Sequence, residues 1–136
     1  VNRFEWPVRV YWEDTDAGGV VYHAQYLAFM ERARSEWVRA QVGGQDWLKS
    51  EFGVCFVVRA MHLDFRSPAR LDDALVITVT PTEFRGASLR VNQTVERDGV
   101  VLVEADVRIA SVNAASFRPM AVPEALIETL KKPRHA

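Results

Sequence analysis

Residues 22–41, YHAQYLAFMERARSEWVRAQ, decide the fold. Tyr26, Phe29, Met30, Ala33, Trp37 and Ala40 recur at steps of three and four, so winding the segment as an α-helix gathers them on one side. Glu31, Arg32, Arg34, Glu36 and Arg39 fall on the opposite side and are expected in solvent, with Arg32 and Glu36 paired one turn apart. Gly43-Gly44 ends the helix.

The flanking sequence reads as strands. From Pro7 to Glu13, Val8, Val10 and Trp12 alternate with Arg9, Tyr11 and Glu13, the period of a half-buried strand. A short helix is expected over Asp46–Phe52. After Gly53 the period is two through four runs, ending near Val112. Their dry sides are Met61, Leu63 and Phe65; Leu75, Ile77 and Val79; Leu89, Val91 and Val95; and Val101, Val103, Val107 and Ile109. The connections SPARLDD, FRGA and RDGV are short enough for antiparallel neighbours, and Asp98-Gly99 suits a hairpin turn. Pro123 opens a terminal helix closed by Lys131, Lys132 and Pro133. The class is therefore α+β: a five-stranded antiparallel sheet with one dry face, which only the 22–41 helix is long and apolar enough to cover. No repeat or linker interrupts the chain, so a single domain over residues 1–136 is expected.

Composition narrows the function. With 49% hydrophobic and 26% charged residues and a formal net charge of -1, the chain has the balance of a soluble globular protein, without a general attraction to nucleic acid or anionic lipid. The one cysteine, Cys55, lies in VCFVV and is expected as a buried structural thiol; it leaves no internal disulfide and no cysteine-based zinc site. No apolar run approaches the roughly 18 residues of a membrane span, and no leader is visible, so a cytoplasmic location is expected.

The chemistry concentrates just ahead of the helix, in WEDTDAGGVVYHAQY, residues 12–26. Asp14, Asp16 and Gly19 fit the first, third and sixth positions of a calcium loop, but Gly18 and Gln25 stand where further oxygen ligands are required. Asp14, Asp16 and His23 lack a metal-ligand spacing, and no lysine follows the glycines as in a phosphate loop. Neither a metal nor a cofactor is expected. Asp14 reads as a turn or capping carboxylate. Asp16 lies beyond the strand and before a helix N-terminus, with Gly18 and Gly19 allowing the backbone close to a ligand. Were the substrate a thioester, its hydrolysis would need a base or nucleophile, a task that suits Asp16, and donors for the developing oxyanion, a task that suits N–H groups at a helix start. A thiol leaving group has a pKa of about 8.5, so it departs without a strong general acid. No serine elbow is present, and Cys55 is inside a strand. Glu31, two turns beyond His23, reads as a surface charge.

DTDAGGVVYHAQYLAFMERAR, residues 14–34, resembles the motif of hotdog-fold acyl-CoA thioesterases of the 4-hydroxybenzoyl-CoA thioesterase type, most closely the branch associated with the Tol-Pal cell-envelope system. The resemblance spans nearly the whole chain. It implies a hotdog fold, with the sheet wrapped around the long helix, and it implies Asp16 as catalytic carboxylate beside His23, whose backbone N–H polarises the thioester carbonyl. In FRGASLR it implies Arg85, Ser88 and Arg90 as contacts to the phosphates of coenzyme A, with Arg66, Arg70 and Arg118 as weaker candidates. Relatives in this branch often carry a tyrosine four residues before the catalytic aspartate, where this chain has Trp12. The implied partners are an acyl-CoA substrate, an acyl carrier protein as alternative carrier, and further copies of the chain in a homodimer or homotetramer with the acyl channel between subunits. Two other readings suit the same features: a hydroxyacyl thioester dehydratase, and a non-catalytic acyl-carrier or envelope-machinery partner.

Overall fold

The computed structural model describes residues 3–133. Strand β1 (Phe4–Arg9) leads through a turn to helix α1 (Gln25–Val42), a short helix α2 (Gln45–Trp47) with a wide turn at Leu48–Phe52, strands β2 (Val54–Phe65), β3 (Ala74–Arg85), β4 (Ser88–Arg97) and β5 (Val100–Asn113), and helix α3 (Glu124–Lys131). The sheet is antiparallel in the order β1-β3-β4-β5-β2. Ile77, Val79, Leu89, Val91, Val95, Val103 and Val107 make its dry face, and α1 buries Tyr26, Phe29, Met30, Ala33 and Trp37 against it. Asp98 and Gly99 both take positive φ, 53° and 78°, as a two-residue hairpin turn demands.

Several local expectations change. The first strand stops at Arg9 instead of continuing to Glu13, and Trp12–Asp14 forms one 3-10 turn that leaves Trp12 82% exposed. The cause is Asp14, whose Oδ2 accepts the Tyr11 N–H at 2.8 Å and draws the backbone out of extended geometry. Helix α1 begins at Gln25 rather than Tyr22. Glu36 pairs with Arg39 at 2.7 Å, not with Arg32. Arg34 is half-buried rather than in solvent, because its Nη1 donates to Oε1 of the buried Gln93 at 2.9 Å. Cys55 is half-buried, since its strand is the edge of the sheet.

That edge shapes the functional surface. Helix α1 packs chiefly against β1, β3 and β4, so the apolar side of β2 is only partly covered. Val57, Val58 and Phe65 are exposed, and two distinct cavities open along β2, one between α1 and Phe56 and Val58, the other at Phe65 beside the start of α1.

Candidate active site

Asp14 and Asp16 stand two residues apart and do different things. Asp14 is buried: Oδ2 holds the Tyr11 N–H, Oδ1 accepts from Gln25 Nε2 at 2.8 Å, and its backbone oxygen accepts the Tyr22 N–H at 2.9 Å. It ties the 3-10 turn to the first residue of α1. Asp14→Asn would face an amide N–H₂ toward one of these donors, so a stability loss of about 1–3 kcal/mol is expected. Thermal unfolding at the parent temperature would show that the ties contribute nothing.

Asp16 is exposed. Its N–H donates to the Val20 oxygen at 2.9 Å, its own oxygen accepts the Gly19 N–H at 3.0 Å, and its Oδ1 accepts the Gly18 N–H at 2.8 Å. Oδ2 has no protein partner among the described residues. The glycines divide the work. Gly19 takes φ +80°, whereas Gly18 supplies room, because a Cβ there would stand 3.1 Å from Asp16 Oδ1.

His23 occupies the turn that opens α1. Its ring lies 4.7 Å from the Tyr22 ring and edge-on to Phe65 at 6.5 Å, measured between centroids. It lines a cavity of about 270 Å³ with Val21, Tyr26, Phe65, Arg66, Ser67 and Pro68. The Tyr22 and Gln25 N–H groups are used by Asp14 and Tyr22, but those of His23 and Ala24 have no acceptor among the described residues. No hydrogen bond joins Asp16 to His23 among the described residues; the two share the N-terminal end of α1.

The 66–73 connection closes this end. Val21 N–H donates to the Ala69 oxygen at 2.8 Å, and Ala69 N–H donates to Tyr26 Oη at 3.0 Å. Burial pushes the Tyr26 phenol up from its ordinary value, so it remains a neutral clamp. Local patterning placed Tyr26 and Phe65 on dry faces but carried no signal that they meet around His23, because their elements are far apart in sequence.

Arg85, Ser88 and Arg90 lie elsewhere. Arg85 and Ser88 pair across the β3–β4 turn, while the Asp16 end of the protomer adjoins Asp73 and Arg97, at the other ends of β3 and β4. The length of β4 separates them by about 30 Å. Ser88 Oγ donates to the Arg85 oxygen at 3.0 Å, and Arg90 Nε lies 3.5 Å from Asp106 Oδ1. Among the described residues no group of three His, Cys, Asp or Glu could hold a metal ion, and no helix is long and apolar enough to cross a membrane.

Residues 18–104 match the Thioesterase superfamily. The chain belongs to that superfamily. Among the relatives of this thioesterase superfamily member, the acyl-CoA thioester hydrolase YbgC of Escherichia coli is 47% identical over 130 residues, covering 95% of this chain and 96% of that protein. The acyl-CoA thioesterase YbgC of Haemophilus influenzae is 43% identical and covers 90% of each chain. A crystal structure of a probable thioesterase from Bartonella henselae matches with a TM-score of 0.82 at 37% identity, covering 89% of this chain and 99% of that one. The superfamily member has the hotdog fold, its antiparallel sheet laid around α1.

Proposed function

We propose that the protein hydrolyses acyl-CoA thioesters at the N-terminal end of α1, with Asp16 as general base or nucleophile and the His23 N–H as oxyanion donor. The observation that carries this is the pairing of a carboxylate with an unused oxygen and N–H groups without acceptors at one helix end, beside an apolar cavity. Water deprotonated by Asp16, or Asp16 itself, adds to the carbonyl carbon. Negative charge builds on the oxygen near the His23 N–H, and collapse breaks the carbon–sulfur bond to release thiolate; a proton taken by Asp16 passes to the thiolate or to solvent, and where Asp16 itself attacked, water then cleaves the mixed anhydride to free acid and the carboxylate. The names of the relatives above support the same substrate class.

The working unit is at least a homodimer paired through β2. Its uncovered valines and unpaired edge would be protected by antiparallel pairing with β2 of a second copy. Over the full strand, such pairing sets residues 54–57 of one copy beside residues 62–65 of the other. Val57 aligns with Ala110, and Ala110 with Ser88, so the partner's Arg85 and Ser88 come level with residue 62, toward the Asp16 end, while its Arg90, aligned through Arg108 with Ala60, lies nearer the middle of the strand. Three strand spacings, about 14 Å, then separate the partner's β4 from this copy's β2. A coenzyme A nucleotide could span that distance, with its phosphates on the partner's arginines.

Release of free thiol from a panel of acyl-CoAs by the purified protein tests the reading. Water loss from a hydroxyacyl thioester without thiol release would identify a dehydratase, and neither reaction would leave a binding protein. Rising salt is expected to weaken turnover of coenzyme A esters much more than that of truncated pantetheine esters, because only the former carry phosphates for Arg85 and Arg90 to hold. An equal response of the two would remove these arginines from the nucleotide site. An acyl carrier protein presents its thioester without that nucleotide, so the comparison also bears on the carrier.

A further inference from the structure

Arg34 enters the cavity between α1 and β2 with incomplete partners. Gln93 is fully buried and commits its Nε2 to the Met30 and Thr78 oxygens, at 3.1 and 3.2 Å, which turns its Oε1 toward Arg34 Nη1. That is the only hydrogen bond of the guanidinium among the described residues, and no carboxylate there lies within ion-pair distance of it. Burial lowers the Arg34 pKa from its ordinary value, with the Glu31 charge opposing. A desolvated cation without a counter-anion is costly in itself. Arg34 lines a cavity of about 180 Å³ whose other walls include Trp37, Val38, Phe56 and Val58. Glu31 is exposed at the same cavity and accepts from Ser35 Oγ at 3.3 Å, so its charge remains in water and is screened there.

We propose that this cavity binds a carboxylate, the one at the far end of a dicarboxylic acyl chain, with Arg34 as the residue that selects it. The acyl part of this inference rests on the thioester reading above; the anion site does not. Trp37, Val38, Phe56 and Val58 give the methylenes one apolar side, while Ser35 and Gln45 line the cavity beside Arg34, which, held in place by Gln93, supplies charge-assisted hydrogen bonds to the terminal group. From Gln25 to Arg34 the helix rises about 14 Å. An extended chain of roughly twelve bonds covers that length.

The test compares kcat/KM for matched acyl-CoAs ending in carboxylate or in methyl, over several chain lengths, for the parent and Arg34→Gln. In parallel, calorimetry measures free adipate and free hexanoate on both proteins. The parent is expected to prefer the carboxyl-ended ester at one or more lengths. Arg34→Gln should reduce that preference about ten- to a hundredfold while methyl-ended esters change less than about threefold. Arg34→Lys should restore part of it, and adipate should bind more tightly than hexanoate only when residue 34 is cationic. Equal losses for both esters, or no preference of the parent for either carboxylate probe, would overturn the proposal. Dissociation of the assembly by Arg34→Gln with no change in preference would overturn it too, by assigning the counter-anion to a second copy. Arginine-dependent adipate binding without cleavage of any thioester would leave the anion site standing and remove the thioesterase reading instead.

Discussion

Asp16→Asn is expected to lower kcat/KM for the best acyl-CoA by about 10²–10⁴-fold, the range for removing a general base, while the protein unfolds at nearly the parent temperature. Asparagine keeps an oxygen for the Gly18 N–H, so the turn that positions residue 16 survives. An amide can neither take the proton from water nor attack a carbonyl. His23→Ala is expected to lose less, since the oxyanion donor at that residue is its backbone N–H. A greater loss at His23 would make the imidazole the principal acid or base. If folded Asp16→Asn enzyme stayed within tenfold of the parent, the assignment would fail and Glu31 would be examined next. Asp14 is a poor substitute, because both its carboxylate oxygens already accept hydrogen bonds inside the protein.

Val57→Lys is expected to abolish assembly and turnover of coenzyme A esters together. Lysine on an edge strand opposes pairing, and without pairing each Asp16 lies about 30 Å from the nearest Arg85 and Ser88. Light scattering should show the parent above the 15.4 kDa of one chain and the variant at that mass. A mixing experiment separates loss of contacts from loss of stability. Asp16→Asn protomers lack the base, and Arg85→Ala/Arg90→Ala protomers lack the phosphate contacts. A mixed dimer contains one site with an intact Asp16 and intact partner arginines, so co-refolding should give more activity than the two parents summed. Strict additivity would show that the arginines do not serve the neighbouring copy's site.

The element order was legible because its signals are local. The three-and-four spacing of Tyr26, Phe29, Met30, Ala33, Trp37 and Ala40 predicts a helix that buries these residues, and it buries all but Ala40, which is exposed near the end of α1. Asp98-Gly99 predicts its hairpin from the backbone conformations those residues tolerate. The same reasoning overextended the first strand, since alternation through Trp12 gave no warning that Asp14 would capture the Tyr11 N–H and turn the chain. Gln93, a polar residue in register with Leu89, Val91 and Val95 on a dry face, requires buried partners, and the Met30 and Thr78 oxygens supply them.

By itself, the sequence determined the α+β class, the helix that covers the sheet, the antiparallel strands and the motif that carries the superfamily relationship, since each depends on residues a few positions apart. Tertiary structure alone decided that Asp14 is a buried tie while Asp16 keeps a free oxygen, that Arg34 turns inward, and that Arg85, Ser88 and Arg90 stand remote from Asp16 in one protomer. The physical reason is strand order. Placing β2 at the edge, where α1 covers it only in part, leaves cavities between the two and sets which side chains meet, and that order comes from pairings between segments tens of residues apart that no local pattern encodes.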